Sequence, residues 1–151
     1  MIKQNGMALA LQQAQLAAEN GEVPVGAVLL DGNGNVLAQA GNRVEELRDP
    51  SAHAEMLVMR EAVQQRQGQK LADCTLFVSL EPCPMCAAAM AHFRLGRVVF
   101  GAYDPKGGGV EHGARLPYRP ETLHRMEVIG GVREQEAAEM LKAFFQKLRC
   151  R

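Results

Sequence analysis

The 151-residue sequence predicts one α/β domain over residues 1–151, a three-layer α-β-α sandwich around a mixed five-stranded sheet. Three observations lead there. Segments with apolar residues at helical spacing alternate with short β-branched runs, the pattern of a sheet covered by helices on both faces. The first two extended runs flank Asp31-Gly32-Asn33-Gly34-Asn35, dense turn chemistry that makes them a hairpin and the sheet mixed. The length suffices for one core that buries roughly 70% of the unfolded surface, and is short for two.

The elements follow in chain order. From about Met7 to Asn20, Met7, Leu11, Ala14 and Ala18 recur at helical spacing and Gly21 supplies a stop. Val23 to Leu30 and Val36 to Ala40 are the hairpin strands. Asn42 to Pro50 reads as a charged loop, after which Ser51 is a candidate cap for a helix that runs to about Gln67. His53 and Glu55 then fall in its first turn. Cys74 to Leu80 is a strand closed by Glu81-Pro82, and a helix of small residues, Cys86 to Phe93, begins just after Pro84. Arg97 to Ala102 is a strand, Asp104 to Pro120 a long glycine- and proline-bearing loop, and Met126 to Ile129 a short fifth strand. Arg133 to Leu148 carries Ala137, Leu141, Phe144 and Leu148 on one face of a final amphipathic helix.

Composition removes several classes of function. Hydrophobic residues at 47% and charged residues at 23% exclude a disordered chain, a collagen and a coiled coil. No apolar run approaches the twenty or so residues that span a bilayer. The start lacks the apolar core of a secretion signal, and Ala8 to Ala18 is interrupted by Gln12, Gln13 and Gln15, so a cytoplasmic protein without membrane attachment is expected. In that reducing setting disulfides among the four cysteines are disfavoured, and the close pair, Cys83 and Cys86, reads as metal-binding or redox. Charge is uneven: six Lys/Arg face ten Asp/Glu up to Ala91, and eleven face seven from His92 onward, so the second part is the side suited to a polyanion.

The chemistry concentrates in His53-Ala54-Glu55 and Pro82-Cys83-Pro84-Met85-Cys86. Zinc takes imidazole and thiolate ligands, and C-x-x-C on a strand-to-helix turn brings two sulfurs within about 2.3 Å of one ion. His53, Cys83 and Cys86 are therefore the expected ligands of one zinc per chain. Both clusters open helices, where unpaired N–H groups and the dipole favour thiolate and an anionic Glu55. Three ligands leave zinc a position for water, whose pKa falls toward ~7, and Glu55 is placed to shuttle its proton. Hydrolysis at an amidine-like ring carbon with loss of ammonia suits such a site. Two other readings compete: a closed zinc with Cys74, His92, His112 or His124 as fourth ligand, and a thioredoxin-like redox pair at Cys83 and Cys86.

These motifs resemble the zinc-dependent nucleobase deaminases of the cytidine/deoxycytidylate deaminase superfamily, with their H-x-E and P-C-x-x-C signature. Within them the chain is similar to the bacterial tRNA-specific adenosine deaminases, through Gly21 to Val28, Gly41-Asn42-Arg43, Asp49 to Glu55, Leu80 to Cys86 and Val98 to Lys106. The resemblance implies a cytidine deaminase-like fold, a homodimer, tRNA as partner through its anticodon loop, and conversion of wobble adenosine to inosine with Glu55 as proton shuttle. It further implies substrate-binding roles for Asn42, Ala54, Asp104, Lys106 and Phe145. Each has a plainer reading: Asn42 as a turn cap, Lys106 as a solvated charge, Phe145 as core beside Phe144. From Gly107 to His124 the chain departs from the family pattern. Two further functions remain open from the residues: a deaminase of free bases or nucleosides such as guanine or cytosine, and a non-catalytic RNA-binding protein stabilised by zinc.

Overall fold

The computed structural model describes residues 2–150. Strands β1 (Gly26–Leu30), β2 (Val36–Gly41), β3 (Thr75–Leu80), β4 (Arg97–Ala102) and β5 (Glu127–Ile129) form one sheet in the order β2-β1-β3-β4-β5. Helices α1 (Ile2–Glu19), α2 (Val44–Leu47), α3 (Ala54–Gln65), α4 (Pro84–His92) and α5 (Glu134–Arg149) connect or cover it. β1 runs antiparallel to both β2 and β3, while β3, β4 and β5 are mutually parallel. The mixed five-stranded sandwich expected from the sequence is the architecture observed.

Two-residue alternation builds a core on each face. Leu29, Leu76, Val78, Val98 and Phe100 point to one side, against Val58, Met59 and Ala62 of α3 and Met90 of α4. Val28, Leu30, Phe77 and Val99 point to the other, against Met7, Ala10 and Leu11 of α1 and Ala137 of α5. With both faces covered, β1 is buried at every position, which is why it reads as an uninterrupted apolar run. Gly21 ends α1 as expected, with a φ of 80° that lets the Glu22 amide bond back to Ala17 O at 2.9 Å.

Two local expectations are corrected. Ser51 does not cap α3: its hydroxyl donates to Asp49 Oδ1 at 2.7 Å, and His53 is the N-cap residue. The open amide of Ala54 is satisfied instead by Asn42 Oδ1 at 2.8 Å, from the loop after β2. The charged segment 42–50 is also not wholly irregular. Its turn α2 forms because the buried Glu22 carboxylate accepts the amides of Glu45 at 3.0 Å and Glu46 at 2.9 Å. That partner is more than twenty residues away and invisible to local pattern.

Candidate active site

The carboxyl end of β3 leads through Glu81-Pro82 into Cys83, the N-cap of α4, with Pro84 at the first helical position where its missing N–H costs nothing. α3 points its own start at the same place, so His53 and Glu55 meet the cysteine turn outside the ends of the parallel strands. His53 Nδ1 lies 3.6 Å from Cys83 Sγ and 3.5 Å from Cys86 Sγ. Tetrahedral bond lengths of ~2.3 Å to sulfur and ~2.05 Å to nitrogen require an N···S separation of about 3.5 Å. The three donors fit zinc as they stand.

Among the described residues no fourth His, Cys, Asp or Glu joins this donor set. The alternatives are accounted for elsewhere: Cys74 Sγ accepts from Arg66 at 2.9 Å, His112 pairs with Glu81 at 2.8 Å, and His124 Nε2 lies 2.6 Å from Leu95 O. His92 ends α4, far along the helix from Cys83. The donor geometry answers the closed-zinc reading, and His53 seated against both sulfurs answers the redox pair. A hydrogen bond from Cys86 lowers the Cys83 thiol to about 4, and the same bond, reinforced by burial, raises Cys86.

Glu55 is 3% exposed, and its Oε1 is a buried polar atom with no hydrogen-bond partner. Burial pushes its carboxyl up to about 6. Desolvation and the helix dipole act on it in opposite senses, and a carboxyl at about 6 is still mostly anionic at neutral pH. A native structure seldom orphans a buried carboxylate oxygen without a ligand to meet it.

The site opens into a cavity of about 530 Å³ lined in part by His53, Glu55, Cys83, Asn42 and Asp104. The other residues singled out by resemblance distribute unevenly. Ala54 is fully buried and its amide is spent on Asn42, leaving its substrate role without that donor. Asp104 lines the cavity, but its Oδ1 accepts the amides of Lys106 at 3.2 Å and Gly107 at 2.9 Å. Lys106 is solvent-exposed, and Phe145 is 41% exposed while its neighbours Phe144 and Leu148 line the cavity. Sequence reasoning passed over Glu22 and Glu81, two buried carboxylates in the cavity lining. The one available signal was a Glu beside a glycine turn and another ending an apolar strand. The Glu81 carboxyl is held below the usual carboxylate range: burial opposes the charge, but donors from Asp104, His112 and Glu111 outweigh it.

Fold and donor set together define a zinc deaminase domain. Residues 1–102 match the cytidine and deoxycytidylate deaminase zinc-binding region, and the chain belongs to that family. A relative in Agrobacterium fabrum, named tRNA-specific adenosine deaminase, is 47% identical over 143 residues, covering 95% of this chain and 93% of its own. A Bacillus subtilis protein of the same name is 47% identical over 93% of this chain and 86% of its own. A solved structure from work on A-to-I editing by tRNA:A34 deaminases at the wobble position superposes with a TM-score of 0.88. It is 47% identical and covers 91% of this chain and 99% of that one.

Proposed function

We propose that this protein hydrolytically deaminates adenosine to inosine at the wobble position of tRNA, releasing ammonia. The observation that carries the reaction class is the orphaned Oε1 of Glu55 beside a three-donor metal set in an open cavity. The substrate follows from relatives of that name at 47% identity across nearly the whole chain.

Zinc held by His53, Cys83 and Cys86 supplies a Lewis acid that makes water nucleophilic near neutral pH. The chain does the rest. Glu55 Oε1 takes a proton from the attacking water and delivers it to the ring nitrogen beside the carbon under attack. A second transfer through the same oxygen protonates the departing amine, so adenosine and water become inosine and ammonia. Asn42, with its carbonyl oxygen fastened to Ala54, keeps its amide N–H groups for an acceptor on the base. Asp104, Lys106 and the α5 aromatic Phe145 serve as contacts for loop nucleotides, and the basic second part of the chain suits their phosphates. A base in an anticodon loop is already partly unstacked, so extruding it costs less than the few kcal/mol a duplex base demands.

The protein works as a homodimer through the outer side of α4. Met85 there is 39% exposed, and Leu123, 88% exposed, lies with Ala88, Ala91 and His92 around a hollow that Arg94 and Glu121 also line. Sedimentation at micromolar concentration yields a dimer; a monomer refutes this part. A tRNA substrate and four free cysteines fit a cytoplasmic setting. No helix among the described residues is long and apolar enough to cross a membrane.

Zinc-loaded protein is incubated with an anticodon stem-loop and, separately, with free adenosine, cytosine and guanine, following inosine by sequencing and ammonia by coupled assay. Inosine at the wobble position is expected. Turnover confined to a free base refutes the tRNA assignment.

A further inference from the structure

The mechanism does not use the buried carboxylate of Glu81. Glu81 follows the last residue of β3, two positions before Cys83, and its side chain has no solvent exposure. Its two oxygens gather five donors from one loop. Oε1 accepts the Asp104 amide at 3.0 Å and the Nδ1–H of His112 at 2.8 Å. Oε2 accepts the amides of Val110 at 3.2 Å, Glu111 at 2.8 Å and His112 at 2.9 Å. Successive amides converging on one anion form a nest, a concavity that elsewhere holds phosphate. Here the chain fills it with its own side chain.

The loop approaches so closely that only glycine fits. A Cβ on Gly108 would stand 2.5 Å from Glu81 Oε2, and one on Gly109 would stand 2.6 Å from Pro84 N. The Gly109 amide also donates to Pro82 O at 2.8 Å, so the loop backbone lies directly on the turn that carries Cys83. The same loop supplies Asp104 and Gly107 to the cavity wall. Gly108, Gly109 and His112, in the stretch where the chain departs from the family pattern, thus find their place around one carboxylate.

We propose that Glu81 is a positioning residue for substrate binding: its carboxylate shapes residues 104–112 into a wall of the substrate cavity and ties that wall to the metal-ligand turn. The inference rests on the cavity being the deaminase's substrate site. A carboxylate alone offers acceptors on both oxygens. In Glu81→Gln one oxygen becomes an NH₂ that faces N–H donors, so either the Asp104 and His112 pair or the three-amide nest loses its partner.

Amide hydrogen exchange and steady-state kinetics on zinc-loaded wild type and Glu81→Gln, with the anticodon stem-loop as substrate, test this. Exchange at the Asp104, Val110, Glu111 and His112 amides is expected to rise about tenfold or more as the loop opens locally. KM is expected to rise about tenfold with kcat within about threefold and zinc still one per chain, the signature of lost binding rather than lost chemistry. Gly108→Ala keeps the carboxylate but displaces the loop, and gives the same split; it serves as the test if Glu81→Gln does not fold. Unchanged exchange at those amides overturns the proposal. So does a fall in kcat at constant KM, which would put Glu81 to work on the metal turn. If wild type fails to turn over the stem-loop, the tRNA reading falls, while the exchange arm still decides whether Glu81 holds the loop.

Discussion

Replacing Glu55 with glutamine separates chemistry from architecture, because the two respond in opposite directions. Glutamine has the shape of the protonated acid and cannot accept and return a proton, so kcat falls by ~10² to 10⁴. Stability moves the other way in the metal-free protein. The folded carboxyl sits at about 6 against an ordinary value of 4.5, so the folded state binds the proton more tightly than the unfolded chain. The sign follows: the penalty is absent below the unfolded value, grows as pH rises from 4.5 through 6, and is complete above that. A shift of this size corresponds to about 2 kcal/mol that the wild-type carboxylate costs at pH 8 and the amide avoids. At pH 5 the difference shrinks below about 1 kcal/mol. Urea unfolding of metal-free wild type and variant at the two pH values measures it, beside ammonia release by the zinc-loaded forms. A variant that is less stable at pH 8, or that retains activity, refutes the assignment of Glu55 as a buried, unpaired proton carrier.

Other outcomes follow from the same geometry. In metal-free protein Cys83, with its thiol lowered to about 4, is alkylated at mildly acidic pH, and zinc protects both Cys83 and Cys86. Cys74, 1% exposed and raised to about 11 by burial, stays unmodified throughout, which peptide mass spectrometry reads directly. Lys106→Ala removes one phosphate contact, so the log–log dependence of stem-loop binding on salt flattens by about 0.7; an unchanged slope leaves Lys106 a solvated charge. Phe77→Ala, at a position 1% exposed between β3 and α1, lowers stability by ~3–5 kcal/mol in denaturant unfolding while leaving the metal donors in place.

Much of this protein was legible along the chain. Apolar and β-branched runs marked all five strands, apolar residues at helical spacing marked α1, α3 and α5, and H-x-E and C-x-x-C named the donors, because residue type, helical repeat and ligand spacing operate within a few residues. Pro84 announced the start of α4 for the same reason. What the chain alone left open was every feature that joins distant segments. Ser51 looked like the cap of α3, yet Asn42 supplies the acceptor from across the loop. Segment 42–50 looked irregular, yet Glu22 stabilises a helical turn there. Glu55 was legible as a carboxylate at a helix start, but not how far its depth raises its carboxyl, since desolvation depends on what packs around a group and not on its neighbours in sequence. The residue types and their local spacing thus determined that metal-assisted hydrolysis was the chemistry on offer. Only the tertiary structure decided that His53, thirty residues before Cys83, shares one point with it and Cys86, and that two buried carboxylates, Glu22 and Glu81, hold the loops beside the cavity. Those contacts arise from burial and from matching N–H groups to acceptors, which exist only once the segments have been brought together.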